Sequence, residues 1–175
     1  MIATAGGRLF ETHPAAVVVP IVNQQEEFLL LESPLRSGWW EPVNGAVEKG
    51  ETLLDAALRE VREEVGPDLR VRPLGVVHAS TFAYDAQVTH VISVTYLMAY
   101  GDGVPRPGDD MRGSRVQWAT LDEIEAQSLQ LVPPLDQAWL RHRTLDLFRL
   151  WEPAADAPLQ LDLTESGWNK HDDAH

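Results

Sequence analysis

The stretch "GAVEKGETLLDAALREVREEVGP", Gly45 to Pro67, decides the fold. It carries six acidic residues, three of them in the short run "REVREEVG". Leu54, Leu58, Val61 and Val65 recur at spacings of four, three and four, which places all of them on one helical face. Thr52 is the expected N-cap. Gly66 followed by Pro67 predicts the stop, because glycine supplies a left-handed residue and proline cannot continue a helix.

The acids then fall into place. Glu60 and Glu64 stand one turn apart on a shared face, with Glu63 beside them, away from the leucine and valine stripe and facing outward. Like charges at this spacing cost a helix roughly a few tenths of a kcal/mol. The macrodipole disfavours negative charge in the second half of a helix, and Arg59 and Arg62 offset part of that repulsion. A solvated charged face is the ordinary explanation of such a pattern. A divalent-metal site is the other. Mg²⁺ is hard, prefers oxygen ligands, and takes one or two carboxylates together with substrate phosphates.

Outward from the helix the chain reads mainly as strands. "AAVVVPIV" (Ala15 to Val22) and "FLLLES" (Phe28 to Ser33) predict a hairpin joined by the polar "NQQEE". "SPLRSGWWEPVNG", punctuated by Pro34, Gly38, Pro42 and Gly45, predicts a loop. "RVRPLGVVHAS" and "THVISVTYLMAY" predict further strands. "GDGVPRPGDDMRG" predicts a long loop, "SRVQWAT" a short strand and "LDEIEAQ" a helical turn. Asp136 to Trp151 predicts a second helix, with Ala138, Leu145 and Leu147 among its apolar positions. Strands surrounding two helices give an α/β domain over residues 1–151, with a mixed β-sheet between helical layers. Residues 152–175 are acidic and predict a C-terminal tail or short extension, in which "LQLDL" suits an edge strand or a contact with a partner subunit, as in a homodimer.

Composition bounds the function. The chain has 175 residues, enough for one domain with a proper core. Its formal net charge is −13, which repels nucleic acid and anionic membranes. An anionic substrate would therefore need cations between itself and this surface. There are no cysteines, which removes disulfides, thiolate metal sites and a cysteine nucleophile. No apolar run approaches a membrane span and the start does not read as a signal peptide, which fits a cytoplasmic protein.

Gly45, Glu51, Arg59, Glu60, Val61, Glu63, Glu64 and Gly66 together resemble the Nudix box, G-x5-E-x7-R-E-U-x-E-E-x-G-U with U aliphatic. Only the last position differs, where Pro67 replaces an aliphatic residue. The resemblance implies an α/β/α sandwich and Mg²⁺-dependent hydrolysis, with Mn²⁺ as a substitute. The reaction is attack of water on phosphorus in a nucleoside polyphosphate or related diphosphate. It implies metal binding by Glu60 and Glu64, joined by Glu63 and the Gly45 carbonyl. Glu51 orients Arg59, and the catalytic set is Glu51, Arg59, Glu60 and Glu63. The base varies in the family: Glu60 is one choice, and Asp109 or Asp110 of "GDDMRG" are the loop alternatives, although a loop acid is more often only solvated.

Flanking residues narrow the resemblance. "WWEPVNGAVEKGET" and "SRVQWATLDEI" look like the dATP pyrophosphohydrolase and dihydroneopterin-triphosphate branch, with Asn44 where paired glycines are common. Trp39 and Trp40 precede the box; one is expected to pack under the helix and the other, taken as Trp40, to stack on a base. Tyr84 lies 18 residues after Gly66, where diadenosine-polyphosphate hydrolases of the family carry a stacking tyrosine, although an aromatic among strands is more often core. Hydrolysis of a diadenosine polyphosphate, a nucleotide sugar or ADP-ribose is the alternative within the family. A catalytically silent nucleotide-binding domain would typically lack box glutamates that are present here. The isomerase sharing this fold uses a cysteine. His78 and His90 read as structural, and "HDDAH" as part of the acidic tail.

Overall fold

The structure, a computed structural model, describes residues 2–154. Two short strands, β1 (Ile2–Ala3) and β2 (Leu9–Phe10), pair antiparallel apart from the main sheet. "AAVVVPIV" is broken at Pro20 into β3 (Ala15–Val19) and β4 (Ile21–Val22). Proline has no N–H for the ladder, so the break falls there. The expected hairpin forms between β4 and β5 (Phe28–Glu32), with Val22 opposite Phe28. Its turn is built on Asn23, whose Oδ1 accepts from the Gln25 and Glu27 amides.

The segment expected as a loop contains two strands, β6 (Trp39–Glu41) and β7 (Val43–Ala46). Pro42 separates them and lets the chain leave β5 and pair instead with β3. Helix α1 (Leu53–Val65) follows, then β8 (Arg70–Phe82) and β9 (Val91–Asp102). The next connection includes a 3₁₀ turn at Asp109–Met111. Then come β10 (Val116–Ala119), α2 (Leu121–Ala126), β11 (Gln130–Leu131) and α3 (Ala138–Trp151).

The strand order is β11-β6-β5-β4-β9-β3-β7, with β10 also on β5 and β8 also on β9. Pairs β3–β9, β4–β9 and β6–β11 are parallel and the rest antiparallel, so the sheet is mixed. Alternation along the strands then divides the core. On β5, Leu29 and Leu31 point to the α1 side, whereas Phe28 and Leu30 point to the α3 side. On β9, Tyr96 and Met98 join α1, and Leu97 and Ala99 join α3. Helices therefore cover both faces, as expected of an α/β/α sandwich.

The two helices bury wider faces than the sequence pattern marks, and the expected stripe of Leu54, Leu58, Val61 and Val65 packs on the α1-side core. On α1 the fully covered residues are Ala56, Ala57, Val61 and Val65, while Leu54 and Leu58 are half-buried. Small alanines let the helix approach the sheet closely, so its sides as well as its stripe are covered. On α3, Leu140, Thr144, Leu145 and Phe148 face inward and Ala138 is exposed. Of the tail expected at 152–175, residues 155–175, including "LQLDL" and "HDDAH", lie outside the described residues.

Candidate functional site

Helix α1 begins with a full capping box. The Thr52 side chain accepts from the Asp55 amide, and the Asp55 carboxylate accepts from the Thr52 amide. It ends at Gly66, whose φ of 95° is open to glycine. These stops fix the register of Arg59, Glu60, Glu63 and Glu64 against β7.

Glu60 and Glu64 do not face outward as expected. They are 8 % and 4 % exposed, because the acidic side of α1 packs against β7 rather than water. The Asn44 amide donates to Glu64 Oε2 at 3.1 Å. The Glu60 carboxylate lies against the bare Cα of Gly45, where any Cβ would overlap it. Gly45 is thus required for close approach rather than for flexibility. Glu63 is half-buried beside them.

Arg59 binds this group together. Its Nη1 donates to Glu60 Oε1 at 2.7 Å and to Glu63 Oε2 at 2.8 Å. Its Nε and Nη2 hold the two oxygens of Glu51 at 2.7 and 3.1 Å, and Nη2 also donates to the Ala46 carbonyl at 2.8 Å. The Glu51 carboxylate, first, and those of Glu60 and Glu63 raise the Arg59 pKa above its ordinary value. Reciprocally, Arg59 and the Glu48 amide lower that of Glu51.

The donor set is all oxygen, two of its carboxylates are buried one turn apart, and Glu60 and Glu63 already converge on one cationic nitrogen. These features suit a hard divalent cation. Among the described residues, no three His, Asp or Glu side chains converge as a ready cation cluster; the Arg59 guanidinium stands between Glu60 and Glu63 instead.

The other expected residues are spread around the sheet. Trp40 is only 6 % exposed and packs in the α3-side core, with the Arg115 guanidinium 5.2 Å from its ring centre. Its strand position turns it inward, so its ring is not open for stacking. Its neighbour Trp39 is half-buried, with Arg36 5.4 Å from its ring centre. Tyr84 is 75 % exposed in the β8–β9 connection, not core. Asp109 is exposed and opens the 3₁₀ turn with a φ of 43°, and Asp110 follows it in that turn. His78 meets the Trp139 ring edge-on and His90 lies beside His13. The backbone partners at Asn44 and Ala46 were missed, since a main-chain amide or carbonyl has no residue-type signature.

Comparison with known proteins bears on the family and the fold. The family model for the NUDIX domain matches residues 11–142. The ADP-ribose pyrophosphatase of Methanocaldococcus jannaschii is 32 % identical over 103 residues, 57 % of this chain and 59 % of that protein. The dihydroneopterin triphosphate diphosphatase of Escherichia coli K12 is 37 % identical over 65 residues, 37 % of this chain and 43 % of that protein. The matched stretch thus spans less than two thirds of either relative. Among solved structures, a NUDIX hydrolase from Nitrosomonas europaea superposes with a TM-score of 0.59 at 22 % identity, covering 86 % of this chain and 97 % of its own. With box, fold and family match in agreement, the chain belongs to the Nudix family.

Proposed function

We propose that this protein is a divalent-metal-dependent pyrophosphohydrolase that cuts a diphosphate linkage in a nucleoside triphosphate or related nucleoside diphosphate derivative. The observation that carries the reading is the pair of buried carboxylates, Glu60 and Glu64, one turn apart on α1 beside Gly45. Burying two acids so close is costly, and a divalent cation bound between them would add to the compensation that Arg59 gives Glu60. Glu60, Glu64 and Glu63, with the Gly45 carbonyl, are the residues that would hold Mg²⁺ or Mn²⁺. When bound, the metal supplies neutralisation of phosphate charge and a more acidic water.

The chain's own residues do the rest. Glu51 and the Ala46 carbonyl keep Arg59 in place when Glu60 and Glu63 turn to other partners. The Asn44 amide fixes one Glu64 oxygen against β7. Glu60 is the first choice of base, and Asp109 and Asp110 the loop alternatives. Tyr84, exposed on the β8–β9 connection, is the residue we assign to the far end of the substrate. A net charge of −13 favours a small anionic substrate carried with cations over nucleic acid or anionic membranes.

Relatives act on different substrates by name: ADP-ribose in one, dihydroneopterin triphosphate in another. A screen of nucleoside triphosphates, ADP-ribose, sugar nucleotides, dinucleoside polyphosphates and coenzyme A with Mg²⁺ or Mn²⁺, resolving the products, tests the reading. Turnover of one class supports it. No turnover on any would favour a nucleotide-binding domain without catalysis. The expected cytoplasmic setting and homodimer belong to the same proposal, and size-exclusion chromatography tests the second.

A further inference from the structure

The connection between β9 and β10 is docked onto the end of α1. The last carbonyls of a helix have no partners within it. Here two of them find partners in the connection: the Arg106 amide donates to the Val65 carbonyl at 2.8 Å, and the Gly108 amide to the Glu64 carbonyl at 3.1 Å. The chain runs extended through Gly108, with φ −121° and ψ −176°. It crosses so close that a Cβ at Gly108 would lie 2.6 Å from the Glu63 carbonyl oxygen. Three residues on, Met111 is 2 % exposed and packs with Val61 and Val65. The segment is thus tied down on both sides of Asp109, by amides before it and by a core side chain after it.

This contact meets the backbone of the same residues whose side chains form the carboxylate group. Helix ends fray, and Glu63 and Glu64 lie in the last turn of α1. Two N–H groups at the carbonyl end also offset the negative pole of the helix beside two acids. Glycine at 108 is what permits the approach: its φ is open to any residue, so the requirement is space.

We propose that Gly108 is a positioning residue for the carboxylate site: its close passage clamps the end of α1 and sets Glu63 and Glu64 in register with the Asp109 turn. The proposal rests on the metal-dependent reading of those glutamates. A Gly108→Ala substitution adds the methyl that the Glu63 carbonyl excludes, so the strap must lift. Arg106→Ala keeps the backbone N–H and serves as the control.

The test is Mn²⁺ titration of the parent, Gly108→Ala, Arg106→Ala and Glu64→Gln, followed by magnetic resonance of the free ion, with thermal melting alongside. Gly108→Ala is expected to weaken Mn²⁺ binding by about tenfold or more, as removal of groups supporting metal ligands does, while Arg106→Ala binds like the parent. In kinetics, Gly108→Ala should lower kcat more than it raises KM. A lowered melting temperature with unchanged Mn²⁺ affinity in Gly108→Ala would make the clamp merely structural and overturn the proposal. Parent-like Mn²⁺ binding by Glu64→Gln would instead overturn the metal reading itself, so the two failures are distinguishable.

Discussion

Arg59 and Glu51 face each other through two hydrogen bonds, Nε to Oε1 at 2.7 Å and Nη2 to Oε2 at 3.1 Å. They stand eight positions apart with a helix start between them, so this fork pins the loop before α1 to its second turn. A lysine at position 59 keeps the charge but cannot span Glu51, the Ala46 carbonyl, Glu60 and Glu63 together. Arg59→Lys is therefore expected to lower the melting temperature and to cut catalytic efficiency by roughly 10- to 100-fold, the range seen when groups orienting metal ligands are removed. Thermal denaturation and steady-state kinetics check the two halves.

Gly45 offers a sharper probe of the same group. Alanine there would put a methyl into the Glu60 carboxylate. Gly45→Ala should remain folded, because the atoms its methyl meets are the end of the Glu60 side chain rather than backbone, yet Glu60 must swing away from its place. Mn²⁺ affinity is expected to fall by roughly 10- to 100-fold. Unchanged affinity would mean that Glu60 is no ligand.

The aromatic residues separate stability from binding. Trp40→Ala empties part of the α3-side core and is expected to cost about 3–5 kcal/mol in urea denaturation. Tyr84→Ala, at an exposed position, should change stability by no more than about 0.5 kcal/mol. If Tyr84 meets the substrate, that variant shows a raised KM with little change in kcat.

Acid sensitivity follows from Glu32. Arg115 grips both its oxygens, at 2.7 and 2.9 Å, and the Gly38 amide adds a third bond. Arg115 first, and then that amide, lower the pKa of Glu32 from 4.5 to about 2. A depressed carboxylate stabilises the fold above its unfolded pKa and loses that contribution as pH falls through its folded one. Stability should thus decline between pH 4.5 and 2 partly through Glu32. Glu32→Gln is expected to flatten that part of the curve, measured as denaturation midpoint against pH.

The extent of α1, with its Thr52 cap and Gly66 stop, was legible because period, cap and stop agree over one short stretch. Most strands were legible from their β-branched runs. β6 and β7 were not, since prolines and glycines that signal a loop here mark the crossing of one strand pair into another. The burial of Glu60 and Glu64 escaped the helical pattern as well. A helix period tells which residues share a face, but not that a second element, β7, will cover the polar one. Likewise the docking of Arg106 and Gly108 onto α1 rests on main-chain amides, which any residue but proline supplies.

The central claim is that Glu60 and Glu64 form a cation site that drives phosphoanhydride hydrolysis. The most direct measurement is the metal-dependent rate of product release by Glu64→Gln on whichever substrate the parent turns over. Glutamine keeps the shape and an acceptor for the Asn44 amide, so the fold should hold. The rate is expected to fall by roughly 100-fold or more, as loss of a charged metal ligand requires. A folded Glu64→Gln variant that hydrolyses as fast as the parent would contradict the account.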